Sequence, residues 1–286
     1  MRTILFFCFL LIMLSGCSLQ KIALRSTTGL LYYGVEAIYQ ETDLQIAEQA
    51  IASDLKLLEG LLQADPGSKD LLILLTQGYA SYSLGFVEDE DTERSKLFYL
   101  RARDYGLKLL QKTPPFKNGI PETEAEFNQK ILLLRNKDLP ALFWTAFSWG
   151  GWINLSKDNP EAVFDLGKVK VMMKQVLELD EGYFFGAAHL FFGSVAGALP
   201  RMLGGNPEEA KEHFQRAIKL TEQKFLLAYV YAARFYAQPV LDDVLFDEYI
   251  TKVLEAPADI LPGFELITSI AKKKARILQT QKEDLF

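Results

Sequence analysis

The sequence predicts an all-α protein, a helical-repeat array of antiparallel helix pairs. Three observations predict it. Apolar residues recur at spacings of three and four through most of the chain, as one face of a helix requires, and no convincing run of strands interrupts them. The stretch from Leu139 to Leu155, LPALFWTAFSWGGWINL, is apolar on every side, the pattern of a helix at the buried centre of a stack. Five helix ends along the chain share a pattern of apolar residues followed by a polar or proline stop.

The central stretch holds all three tryptophans, Trp144, Trp149 and Trp152, together with Phe143 and Phe147. Its 17 uncharged residues reach only the lower limit for crossing a bilayer, and Thr145, Ser148, Asn154, Gly150 and Gly151 lie within them. Small residues let neighbouring backbones come close while the aromatics fill the gaps beside them, so this segment is expected to be the central core helix.

The amino end is processed rather than folded. Arg2 precedes an apolar run from Ile4 to Leu14, then Leu14-Ser15-Gly16-Cys17, which resembles the bacterial lipobox. That resemblance implies removal of residues 1–16 and lipidation of Cys17, with residues 17–28 as a tether and residues 29–286 as one helical domain; an ordinary signal peptide with a coincidental cysteine is the alternative. More than one acyl chain makes such an anchor stable. Of the two cysteines, Cys8 leaves with the signal and Cys17 is consumed by lipid, so no disulfide and no thiol nucleophile are expected. Ser18 is not the aspartate that marks retention at an inner membrane, which favours an outer-membrane anchor facing the periplasm.

The elements follow in order. A short helix is expected over Gly29–Tyr39. From Asp43, the residues Ala47, Ala50, Ile51, Leu55, Leu58, Leu61 and Leu62 share one helix face, and Asp65-Pro66-Gly67-Ser68 ends it. Helices are expected over Lys69–Phe86 and Thr92–Lys112, separated by the acidic run Glu88–Asp91. Thr113-Pro114-Pro115 stops the second of these, a connector follows over Phe116–Pro121, and a short helix is expected over Glu122–Arg135. After the central helix, Asp158-Asn159-Pro160 caps a helix to about Leu179, and Gly182–Ala198 is another apolar helix. Asn206-Pro207-Glu208-Glu209 has a cap, a proline at the first helical position and an early acid, so a helix is expected to start there and run to Leu220. Phe225–Ala237, Asp242–Leu254 and Gly263–Thr280 complete the set.

Anchored at Asp65, Thr113, Asp180, Thr221 and Ala256, the helix ends recur at intervals of 48, 67, 41 and 35 residues. The period is irregular but lies near that of tetratricopeptide and related helix-pair repeats. Ala210, Phe214 and Ala217 fall where the second helix of such a repeat carries small, aromatic and small residues. In such arrays stacking makes the core and leaves a concave surface; a generic helical bundle is the alternative.

Three features together resemble the TatT lipoproteins, the T components associated with TRAP-type (tripartite ATP-independent periplasmic) transporters. They are the lipobox ending at Cys17, LPALFWTAFSWGGWINLS ending at Ser156, and ALPRMLGGNPEEAKEHFQRAI from Ala198 to Ile218. The resemblance implies cryptic tetratricopeptide-like repeats, a homotrimer, and a pore or cleft suited to an apolar ligand. It also implies association with a periplasmic solute-binding protein that delivers a small organic acid or similar ligand to a sodium-coupled permease.

Chemistry is sparse. The net charge is −6 and the basic residues are dispersed, so no basic stripe for nucleic acid appears. The cluster Lys272-Lys273-Lys274 is expected on a solvated helix face, with a contact to anionic lipid as the alternative. His189 lies in an apolar stretch and is expected as a hydrogen-bonded core or cleft residue, and His213 on a helix surface. No metal-ligand spacing, phosphate loop or nucleophile-base pair is found, so neither an enzyme nor a cofactor is expected. The ligand-binding expectation falls on the loop Leu199–Gly205. There Arg201, before a helix amino end, is placed to meet a carboxylate while Met202, Phe191, Phe192 and Trp144 line an apolar cavity. The alternative pairs Arg201 with an acid such as Glu208 and leaves the aromatics as core. The leading functional expectation is a non-enzymatic, lipid-anchored transport accessory. The alternative is a scaffold lipoprotein for envelope assembly through protein contacts alone.

Overall fold

The computed structural model describes residues 29–199, 202 and 204–286. The expected signal, the lipidation site Cys17, the tether, and Pro200, Arg201 and Leu203 lie outside the described residues. Those described form helices joined by turns, with no strand among them.

Helix α1 spans 29–39. Helix α2 (Leu44–Ala64) starts where the Asp43 carboxylate accepts from the amides of Gln45 and Ile46, and it buries Ala47, Ile51, Leu55 and Leu58 from the predicted stripe. Helix α3 (Lys69–Tyr82) is capped by Ser68 and passes into a π-helical turn, Ser83–Val87. Helix α4 (Thr92–Leu110) is capped by Asp91, the last member of the acidic run. After a 3-10 turn at Pro114–Phe116 comes α5 (Glu124–Ile131), shorter than the periodicity suggests because Thr123 caps it and the chain leaves helical geometry after Leu132.

Helices α6 (Leu139–Leu155), α7 (Pro160–Leu179), α8 (Tyr183–Ala198) and α9 (Pro207–Leu220) follow, the second and last capped by Asn159 and Asn206. Helix α10 (Leu227–Ala232) passes into a second π-helical turn, Ala233–Ala237. Helices α11 (Asp243–Glu255), α12 (Glu265–Thr280) and α13 (Lys282–Leu285) end the chain. Neither π turn was legible, since apolar residues continue through both at helical spacing. Such one-turn expansions occur often beside functional sites.

Helix α6 is the centre of the packing. It lies against α3, α4 and α7. Small residues set two of its contacts: a Cβ on Gly106 of α4 would fall 2.4 Å from the Thr145 hydroxyl, and one on Gly151 would fall 2.5 Å from the Tyr99 ring. None of the described helices is long and apolar enough to cross a membrane, α6 included.

Helix α8 departs from the straight helix its sequence suggests. Phe184, Phe185 and Gly186 have φ of 43°, 62° and 70°, a left-handed bend at the start of the element. For residues with a Cβ this conformation costs roughly 1–2 kcal/mol each. The aromatic contacts oppose that cost. Phe184 meets Trp144 edge-on with centroids 4.7 Å apart, and Phe185 stacks on Phe225 at 4.9 Å and meets Phe264 at 5.0 Å.

The lysine cluster of α12 meets the acidic run after α3. Lys274 is buried and donates to Glu88 and Asp89, both at 2.6 Å, while Lys273 donates to Glu90 at 2.7 Å. Lys272 donates to the carbonyl of Ala256. The expectation of a solvated face is corrected here: a helix face can be assigned from one segment, but its partner stands more than 180 residues away.

Candidate functional site: a central apolar cavity

A cavity of about 600 Å³ lies where α1–α4, α6–α8, α10 and α12 converge. Its walls are mainly aliphatic and aromatic: Trp144 and Phe147 from α6, Phe184 and Phe191 from α8, Leu84 from the first π turn and Phe235 from the second. The two π turns thus present side chains to the same space from different parts of the chain. Gly150 and Gly151 keep the α6 wall thin there. A Cβ on Gly150 would stand 3.3 Å from the Phe191 ring, and Gly151 makes room for the Tyr99 ring. The volume and lining fit a small-molecule pocket with apolar walls and a few polar groups.

A second, smaller pocket of about 190 Å³ shares Glu88, Asn154, Tyr231 and Phe235 with the first, so the two adjoin. Its polar groups are ordered by α12. Lys274 holds Glu88 and Asp89, the Tyr99 hydroxyl donates to Glu88 at 2.7 Å, and Arg234 approaches Asp89 at 4.0 Å. Burial raises the Tyr231 phenol well above its ordinary range, and the nearby Glu88 carboxylate adds to the effect, so the hydroxyl stays protonated as a donor. Burial, and secondarily the Arg234 guanidinium, lowers the Lys157 ammonium.

A separate polar cluster joins α8 to α9. The His189 and His213 Nδ1 atoms are 2.8 Å apart, and His189 Nε2 lies 3.0 Å from Glu181 Oε1. Glu181 also takes both arms of Arg216, at 2.7 and 2.5 Å. An imidazole Nε2 facing a carboxylate must carry the proton, so in the neutral pair Nδ1 of His189 accepts and His213 donates. The Arg216 hydrogen bonds lead in lowering the Glu181 carboxyl to about 2. Burial leads in lowering both histidines. The sequence placed His213 on a helix surface; it is half-buried instead, because α9 turns that position toward α8.

Of the residues expected to bind ligand, Trp144 and Phe191 line the main cavity. Phe192 does not. The next residue on a helix points about 100° away, and Phe192 stacks on His213 at 5.4 Å instead. Met202 is 97% exposed and stands clear of the walls, so its expected place in the cavity is corrected: the loop carries it into solvent. Arg201 lies outside the described residues. Lys157, Arg234, Tyr231 and the π turns were missed. Their signal is weak in sequence: Lys157 is a single lysine in the turn after α6, Tyr231 and Arg234 are single residues in a helical run of ordinary composition, and both π turns keep helical apolar spacing.

The TRAP transporter T-component family model matches residues 40–286. The chain is also similar to an uncharacterized protein of Treponema pallidum (strain Nichols), with 21% identity over 95% of this chain and 94% of that relative.

Proposed function

This chain belongs to the TRAP transporter T-component family, and from that membership we propose that it is a lipid-anchored accessory that docks a periplasmic solute-binding protein and takes an apolar or organic-acid ligand into its central cavity. A T component is an accessory part of a transporter, associated with the cell envelope. The finer reading adds an anchor at Cys17, an outer-membrane position facing the periplasm, a homotrimer and tetratricopeptide-like helix pairs. The lipobox supports the first, Ser18 the second, the family resemblance the third, and the contact of sequence-adjacent helices the fourth.

One observation carries the ligand reading: the cavity of about 600 Å³ with an aromatic and aliphatic lining at the heart of the fold. Close packing is the rule in protein interiors, and voids larger than a few waters are uncommon. A scaffold acting only through its surface would have no use for such a space. Native mass spectrometry on a soluble form starting after Cys17, alone and with the solute-binding protein of its transporter, tests this function. A trimer that captures that protein supports it. A monomer that ignores the protein favours the scaffold.

A further inference from the structure

We propose that the cavity takes an amphipathic monocarboxylate, its apolar body against the aromatic walls and its carboxylate between Lys157 and Arg234 beside Asn154. This rests on the ligand-carrying reading above and specifies its chemistry.

The charges around the cavity are unequal in their commitments. Its charged lining residues are Glu88, Lys157 and Lys170. Glu88 is already held by Lys274 and by the Tyr99 hydroxyl. No carboxylate lies within ion-pair distance of either lysine among the described residues. In a chain of net charge −6, the uncommitted charge at this apolar cavity is therefore positive.

Two of the cations around the joined pockets converge. The Lys157 ammonium lies 5.8 Å from the centroid of Phe235, and the Arg234 guanidinium 5.5 Å from that same ring. Phe235 and Asn154 belong to both pockets, so the pair stands at their junction. Arg234 has one acidic neighbour among the described residues, Asp89 at 4.0 Å, and that carboxylate is already engaged by Lys274 at 2.6 Å. Two cations that close to one ring repel each other; burial leads in lowering the Lys157 ammonium, and the Arg234 charge adds to it. A carboxylate placed between them would relieve that repulsion and accept from both, while the Asn154 amide offers a further donor. The apolar walls begin beside it, which suits one charged end and an unbranched or aromatic body rather than a small polar diacid.

The test uses the chain from residue 18 onward, which keeps every described helix, titrated calorimetrically with dodecanoate and with dodecanol, each below its aggregation limit. Dodecanoate is expected to bind about tenfold more tightly than dodecanol, the scale of a charge-assisted hydrogen bond. The double variant Lys157→Gln with Arg234→Gln is expected to bring dodecanoate down to the dodecanol level and leave dodecanol unchanged. Lys157 and Arg234 both keep part of their surface in solvent, so the variant should keep its circular dichroism and thermal midpoint. Equal binding of the two ligands to the unsubstituted chain, or a dodecanoate preference that survives in the double variant, overturns the carboxylate site and leaves the cavity reading standing. Binding of neither ligand overturns both.

Discussion

His189 and His213 share a hydrogen bond between their Nδ1 atoms, 2.8 Å apart across the α8–α9 interface. Such a bond exists only while at least one of the two nitrogens lacks a proton. Both pKa values are lowered from 6.5, led by burial, and the His189 charge adds to the lowering of His213. The surrounding charged groups are Glu181 and Arg216 around His189, and Glu209 and Glu212 around His213.

The first prediction concerns pH. Below 6.5 the unfolded chain binds protons that the folded pair resists, so stability should fall as pH drops from 6.5 toward the folded values. Above 6.5 both states are neutral there and the pair contributes no slope. Glu181, lowered to about 2, adds a second loss beginning below pH 4.5. Thermal midpoints of the parent should fall between pH 6.5 and 5, and His213→Gln should flatten that fall. An unchanged slope in the variant would show that the pair does not titrate as described.

The second concerns the tightest glycine position among the described residues. A Cβ on Gly197 of α8 would fall 1.6 Å from the backbone carbonyl oxygen of Phe235. Backbone cannot swing aside as a side chain can, so Gly197→Ala should cost about 1–3 kcal/mol by overpacking. Gly60→Ala, where a Cβ meets nothing within 4 Å, should be neutral or slightly stabilising in the same urea titration.

Removing the cation that ties α12 to the end of α3 is the third. Lys274→Met leaves Glu88 and Asp89 facing each other with side-chain exposures of 12% and 14%. Breaking a buried pair from one side costs roughly 3–5 kcal/mol. The urea midpoint should drop accordingly, with the m-value retained if only stability changes.

Trp144 supplies the fourth. It lines the cavity, whereas the Trp149 indole donates to Asp165 at 3.1 Å and lies outside the lining. A brominated alkanol that enters should quench tryptophan fluorescence, and Trp144→Phe should abolish most of that quenching. Full quenching in the variant would place the bound alkanol elsewhere.

Much of the architecture was legible because helical periodicity and caps are local. Asp43, Ser68, Asp91, Asn159 and Asn206 each accept from an amide two or three residues on, and the chain between them repeats with the helix. The buried α6 was legible for the same reason: seventeen uncharged residues admit few other environments. The cavity was legible only in part. Trp144 and Phe191 stand out as large apolar residues, but nothing local separates a ring that fills a core from one that walls a space, and Phe192 next door shows how one position changes the answer.

By itself the sequence determined the all-helical class, most helix limits, the central helix and the family features, all properties of neighbouring residues. Tertiary structure alone decided the rest. It bent α8 through three left-handed residues because aromatic contacts with Trp144, Phe225 and Phe264 oppose the strain. It buried Lys274 against acids far away in the chain, paired two histidines, and set Lys157 and Arg234 around one phenylalanine. Each of these depends on where distant helices meet, and that is settled by the packing of all of them together.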